Sequence, residues 1–261
     1  MVHRLHTDLL RRPVRVLVIG CGGTGSAVLG GLPYLHQAML ALGHPGGLEV
    51  TVMDGDRISP ANCVRQPFSE GEIGLFKAVV LVNRLNLFWG LNWRTEPKYL
   101  AEDEGIDRTD LVIGCVDTRS ARSLIATSLT GRQSNVDYWL DIGNNASSGQ
   151  IGLGEPWNWV NKRSATRLRT VAELFPEIVD ASLDDDGEPS CSSAEALERQ
   201  EPFVNQTLAY HALALLARLF RYGRVSHHGA FVNLATGRAT PLRVEPSCWR
   251  RMRRRRPNNT K

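Results

Sequence analysis

The sequence predicts an α/β protein built on a Rossmann-like, mostly parallel sheet flanked by helices, with a C-terminal crossover segment, helix and β-hairpin. Three observations predict it. The run VRVLVI at Val14–Ile19 is short, β-branched and closed by glycines, as a buried parallel strand is. From there to about residue 154, short apolar runs alternate with stretches of helical spacing, which argues for strands joined by helical crossovers. Beyond residue 200, one strongly apolar helix pattern precedes two strand-like runs joined by a turn.

Element by element, Val14–Ile19 opens the core as a strand. Residues 24–42 have helical spacing, interrupted by Pro33, before GHPGG breaks the pattern and LEVTVM (Leu48–Met53) supplies a second strand. This is a β-α-β unit with a long crossover. Residues 73–89 are again helical, 92–97 are a short strand candidate, and 111–115 form an apolar strand that ends near Asp117 and leads into a helix through 129. Residues 138–142 and 150–153 read as strands around the polar loop GNNASSG. In 155–200 the periodicity fades into tryptophans, basic residues and the acidic DDDGEPSC; a loop of that length is functional or contains short helices. Residues 203–220 restore a helix, and 227–244 read as two strands joined at Ala235, Thr236, Gly237 and Arg238. The resulting division is an arm (1–13), a nucleotide-binding core (14–154), a crossover loop (155–200), a helix and hairpin completing the same domain (201–249), and a basic tail (250–261).

Composition narrows the class. A chain of 261 residues with 42% hydrophobic content can bury an ordinary core. No apolar stretch approaches the roughly 18 residues of a membrane span, and the N-terminus lacks the apolar region of a secretory signal, so a cytoplasmic protein without membrane contact is expected. Five widely spaced cysteines, with no C-x-x-C pair, indicate neither a disulfide framework nor a structural zinc. Cys21 and Cys115 read as small buried residues. Of the 31 basic residues, seven lie after Trp249; removing them leaves 24 against 27 acidic residues, so the body is slightly acidic. The arginine-rich tail is a like-charge block that predicts disorder, and it is the one feature expected to suit nucleic acid. His211, His227 and His228 have no acid or metal partner at recognisable spacing and read as structural, and Trp157 and Trp159 read as packing or anchoring residues.

The chemistry-bearing motif is Gly20-Cys21-Gly22-Gly23-Thr24-Gly25, a G-x-G-x-x-G between a strand and a helix. Its glycines allow close backbone approach, and the helix start presents amides and a positive dipole end to a phosphate. A nucleotide site is expected. Asp54, ending the second strand, suits the ribose of ATP or of NAD, so these residues alone do not choose between them. The polar series DGDRISPANCVRQ, GLFK and CVDTRSAR favours phosphoryl chemistry, for which a dehydrogenase has no evident use. Arg65 and Lys77 can neutralise a triphosphate, and Asp117, beyond a strand's carboxyl end, can hold Mg2+. Taken singly, Arg65 or Lys77 would be a solvated cation and Asp117 a helix cap; their order tips the balance.

These residues resemble the ThiF and MoeB adenylyltransferases and the adenylation domains of ubiquitin-activating enzymes. The marks are GCGGTGS, MDGDRI, P-A-N-C-V-R-Q, G-x-x-K at Gly74 to Lys77, and V-D-T at Val116 to Thr118, with Gly149-Gln150 as minor support. The resemblance covers about 14–153 well and implies ATP-dependent adenylation of the C-terminal carboxylate of a ubiquitin-like, β-grasp or sulfur-carrier-like protein, with Mg2+ as cofactor. It implies that Gly20, Gly22, Gly23 and Gly25 form the phosphate loop, with Gly22 and Gly25 approaching the phosphates. Asp54 would bind ribose and Asp56 would lie near the metal. Asn62, Arg65 and Gln66 would line the triphosphate, Lys77 would contact phosphate, and Asp117 would bind the metal. It also implies a homodimer in which Arg11 or Arg12 enters the partner's site. The long crossover and 155–200 look most like the ThiF-family protein of plasmid-associated PRTRC cassettes, whose neighbours resemble a conjugating enzyme. Cys191 stands where some members carry a nucleophile for a thioester, although acidic Asp184, Asp185, Asp186 and Glu188 would raise its pKa. The alternatives are an NAD(P)-dependent oxidoreductase and a non-catalytic nucleotide-binding scaffold in plasmid maintenance.

Overall fold

The computed structural model describes residues 1–131, 134–162, 164, 166–184 and 201–254. In chain order the main elements are β1 (His3–Arg4), β2 (Val14–Ile19), α1 (Gly23–Ala41), β3 (Leu48–Met53), α2 (Asn62–Arg65), α3 (Lys77–Trp89), β4 (Arg94–Glu96) and β5 (Leu111–Gly114). They continue with α4 (Arg119–Ser128), β6 (Tyr138–Asn144), β7 (Ser148–Gly154), α5 (Val171–Leu174), α6 (Val204–Tyr222), β8 (Arg224–Val225), β9 (His227–Asn233), β10 (Arg238–Arg243) and α7 (Pro246–Arg254).

Eight strands form one sheet in the order β10-β9-β7-β6-β5-β2-β3-β4. The five from β4 to β6 are parallel; β7, β9 and β10 extend the sheet antiparallel. β2 lies centrally, with Ile19 opposite Met53 of β3 and Gly114 of β5. Its alternation sends Val14, Val16 and Val18 into a larger core, and Leu17 and Ile19 into a smaller one with Val112, Ile125 and Trp139. Burial on both faces explains why Val16 to Ile19 are all apolar, Arg15 lying at the strand's amino end beside Asp110. On the first face α1 packs along α6, and Pro33 is carried inside α1 without ending it. On the second face lies α4.

The expected strands and helices are present, with local differences. α3 starts at Lys77 rather than near residue 73, because Ile58 donates its amide to Leu75 O (2.9 Å) and accepts from Gly74 N (2.9 Å), which holds the intervening chain in a loop. The irregular segment after β7 is anchored by buried Asn158 and Asn161, whose side chains donate to Val136 O at 2.8 and 3.1 Å. α5 follows, opened by a Thr170–Glu173 capping box. Trp157 and Trp159 are not packed inside: both are more than half exposed, covered by Arg167 and Lys162 respectively. The first arginines after Trp249 continue α7 rather than opening a disordered tail. His228 is structural, as expected. Trp249 Nε1 donates to its Nε2 (2.9 Å) and its Nδ1 meets Leu153 O (2.6 Å), with burial pushing its pKa down to about 4. His211, by contrast, is exposed on α6. Among the described residues, no helix is long and apolar enough to cross a membrane.

Candidate functional site

Because β2 connects outward to β3 on one side while β5 lies on the other, the carboxyl ends of β2 and β5 splay two loops apart. A cavity of about 930 Å3 opens there. Gly20, Gly22, Gly23, Asp54, Asp56, Asn62, Arg65, Gln66, Lys77 and Asp117 all line it.

The glycine loop is shaped by backbone contacts. Gly20 has φ +98°, and a Cβ there would stand 2.7 Å from Cys115 O, so the turn out of β2 requires glycine. A Cβ at Gly22 would meet nothing within 4 Å, which leaves its backbone facing open space beside the amides at the start of α1. Gly25 differs from expectation: it turns toward Gly20, whose carbonyl oxygen would lie 1.9 Å from an added Cβ. It closes helix against strand, and does not approach the cavity.

Asp54 pins this loop. It is buried, and its two oxygens accept the amides of Cys21 and of Asp56, the latter at 2.7 Å. Burial pushes its carboxyl up while the two amides favour the charged form. Asp56 then meets Lys77 Nζ at 2.8 Å and the Tyr99 hydroxyl. Burial pushes Asp56 up, but those two partners hold it below the usual carboxylate range, while the hydrogen bond to Asp56, with burial, pushes Tyr99 up to about 12. Lys77, only 5% exposed, is thus a paired cation facing the cavity. α2 brings Arg65 and Gln66 to the opposite wall. Arg65 Nε and Gln66 Oε1 are buried with no hydrogen-bond partner among the described residues. The Arg65 Nε–H is a donor and suits an anion, whereas Gln66 Oε1 is an acceptor and suits a donor such as a hydroxyl.

Asp117 lies just beyond β5, and its position is fixed from below. Arg122 donates to Val116 O (2.8 Å) and to Asp141 Oδ1 (2.8 Å), joining the Asp117 loop to β6. Asp141 is fully buried, and burial pushes its pKa up against the attraction of Arg122. Thr118 caps α4 by accepting the Ala121 amide (3.2 Å), while Asp184 accepts the amides of Arg119 (2.7 Å) and Ser120 (2.9 Å). Tyr99, Lys98, Asn144 and Asn205 also line the cavity, although they belong to no motif that would select them. Asn205 Oδ1, from the first turn of α6, accepts from Thr24 Oγ1 (2.8 Å) and Asn144 Nδ2 (3.0 Å), which ties α1, β6 and α6 together over the glycine loop.

Cys21 and Cys115 are buried, and burial pushes both thiols well up, so neither is a thiolate at neutral pH. Cys191 lies outside the described residues. Of the two arginines expected to reach a partner's site, Arg11 is exposed and Arg12 meets Asp110 (2.6 Å) beside Arg15, at the amino ends of the strands. Among the described residues, no group of three or more His, Cys, Asp or Glu is placed to hold a metal ion by itself.

No curated protein sequence matches the chain. Among solved structures, PaaA superposes with TM-score 0.59 at 15% identity over 88% of this chain, and E. coli MccB crystallised with ATP gives 0.58 at 16% identity over 92%. The chain spans 64% of PaaA and 67% of MccB, and at these identities the likeness establishes the fold. The sequence model of the ThiF family matches residues 6–137, just over half of the protein. The chain therefore belongs to the ThiF family.

Proposed function

We propose that the crevice binds MgATP and adenylates the C-terminal carboxylate of a ubiquitin-like or sulfur-carrier-like protein. The observation that carries this reading is the cavity lined together by Arg65, Lys77 and a glycine loop whose open backbone suits phosphate. Membership of the ThiF family and the likeness to a protein crystallised with ATP support it. In the reaction, a carboxylate oxygen of the partner attacks the α-phosphorus. The bond from that phosphorus to the bridging oxygen breaks, and pyrophosphate leaves with the electron pair. Arg65 would neutralise charge on the triphosphate, and Lys77 would do so while still held by Asp56. Asp117 would hold Mg2+, which usually takes one or two carboxylates together with substrate phosphates. When bound, that ion supplies positive charge to the phosphates.

The same proposal places the chain with the PRTRC-cassette ThiF proteins, as a homodimer that hands its product to a conjugating-enzyme-like partner. It extends to Cys191 as acceptor of the acyl group from AMP, giving a thioester and releasing AMP. Cys191→Ala should then abolish a reducible partner adduct while leaving ATP-pyrophosphate exchange intact; equal adducts in both proteins would remove Cys191 from the reaction.

Calorimetric titration with MgATP and, separately, with NAD tests the core of the proposal. ATP binding that weakens in Asp117→Asn or without Mg2+, with no NAD binding, is expected. Tight NAD binding indifferent to Mg2+ would overturn it in favour of an oxidoreductase.

A further inference from the structure

β1 and β8, more than two hundred residues apart in sequence, pair antiparallel with Arg4 directly opposite Arg224. Two cations in register on a two-stranded sheet repel one another. The neighbouring side chains add to the charge. A cleft of about 460 Å3 lies against this pair, lined among others by Arg4, Arg218, Tyr222, Arg224 and His227. The guanidiniums of Arg218 and Arg221 both stand 5.3 Å from the centroid of the Tyr222 ring, which is itself 53% exposed. Elsewhere in the molecule Arg12, Arg15, Arg84, Arg122, Arg167 and Arg169 each meet a carboxylate. Among the described residues Arg4, Arg218 and Arg224 have none, and the cleft has no acidic residue in its lining. It shares no residue with the crevice.

Further arginines follow the cleft in the chain. Arg243 is paired across β9–β10 with His227, and the Val244 amide bonds to Ser226 O (3.0 Å). Two residues later the chain enters α7, where Arg250 and Arg251 are exposed. An exposed aromatic ring flanked by guanidiniums, within a run of unpaired cations, combines a stacking surface for a base with forks for phosphate.

We propose that this cleft binds the phosphodiester backbone of a single-stranded nucleic acid, which relieves the Arg4–Arg224 repulsion. With phosphate contacts dominating, recognition is independent of base sequence.

The test uses the full chain, a short fluorescent oligonucleotide and anisotropy. Arg4→Gln/Arg224→Gln should lower affinity about tenfold at moderate salt and flatten the slope of log K against log salt by about 1.4, roughly 0.7 for each lost contact. Tyr222→Leu should weaken binding without altering that slope. Thermal melting supplies a second readout. In phosphate-free, low-salt buffer the double variant should melt at or above the wild-type temperature, whereas inorganic phosphate should raise the wild-type melting temperature alone. Oligonucleotide affinity and salt slope unchanged by the double substitution would overturn the proposal. So would arginine-dependent binding of polyglutamate with equal affinity, which would identify an acidic polypeptide as the occupant. A phosphate-dependent rise in melting temperature without oligonucleotide binding would reduce the cleft to a lone anion site and overturn the nucleic-acid assignment.

Discussion

At the amino ends of the parallel strands, Arg12 and Arg15 both grip Asp110, His6 bridges Asp137 (2.8 Å) and Glu155 (2.7 Å), and His3 meets the Tyr138 hydroxyl (2.8 Å). At the carboxyl ends of the same sheet, Arg65 and Gln66 carry buried polar atoms with no partner, and the glycine loop leaves backbone open. At the first end the charged side chains pair with one another, although His3 Nδ1 has no hydrogen bond among the described residues; at the second Lys77 is paired with Asp56 while Arg65 meets no carboxylate among the described residues. Buried polar groups stabilise when fully partnered and cost free energy when they are not. Substitutions at the closed end should therefore change stability, and those at the open end should change chemistry.

Arg122→Met should break that division most severely. Arg122 lies under the crevice floor but belongs to a buried pair, and removing it strands the carboxylate of Asp141 in the core. Breaking such a pair costs about 3 to 5 kcal/mol, and the loss should appear in the denaturant midpoint together with reduced pyrophosphate exchange. Arg122→Met/Asp141→Leu should recover much of the stability but little of the activity, because Val116 O has still lost its donor. A single variant with the wild-type midpoint would show that the pair has no structural role.

Arg65→Ala should obey the division. Loss of a cation facing the transferring phosphates should lower exchange about a hundredfold, whereas the unfolding free energy should stay within about 0.5 kcal/mol, since among the described residues Arg65 forms no ion pair. A large stability loss with normal exchange would place Arg65 in the framework instead.

How far this contrast could be read from the sequence differs between the two ends. β2, β3 and the glycine loop were legible because each is contiguous: two six-residue runs of mainly buried residues, and G-x-G-x-x-G after the first. Asp54, Asp56, Arg65, Lys77 and Asp117 followed from their order along one stretch. Asn205 and Tyr99 did not, because they reach the crevice through packing of distant segments and belong to no local pattern. The closed end was almost wholly invisible. His6 meets Glu155 across 149 positions, and β1 and β8 are two-residue strands too short to show any period. Gly25 was legible as a motif member, but its task was not, since only the approach of Gly20 O distinguishes packing from ligand contact.

His6→Gln should sharpen the comparison from the closed end. Burial pushes the imidazole down, but hydrogen bonds to Asp137 and Glu155 outweigh it and raise its pKa from 6.5 to about 9. Below 6.5 the imidazole is protonated in both the folded and unfolded chain, so its contribution to stability is fully present. Between 6.5 and about 9 the unfolded chain releases its proton first, and that contribution is lost as pH rises. At low pH the variant should be about 2 kcal/mol less stable, a figure reduced from the full shift for partial exposure, and its pH dependence between 6.5 and 9 should flatten. Parallel stability curves for the two proteins over that range would mean His6 carries no such charge. Pyrophosphate exchange should be unchanged.

Thr118→Ala should have the smallest effect, at the point where the open end needs its own framework. The first turn of α4 leaves amides without intrahelical acceptors, and two side chains divide them: Asp184 takes those of Arg119 and Ser120, and Thr118 takes that of Ala121. Losing the Thr118 cap costs about 1 kcal/mol, whereas Thr118→Ser should retain it. Because Asp117 immediately precedes the cap, the alanine variant should also bind MgATP a few-fold more weakly, with the serine variant close to wild type. If alanine and serine variants match the wild type in both stability and ATP affinity, Asp184 closes the helix end by itself and Asp117 owes its position to Arg122 alone.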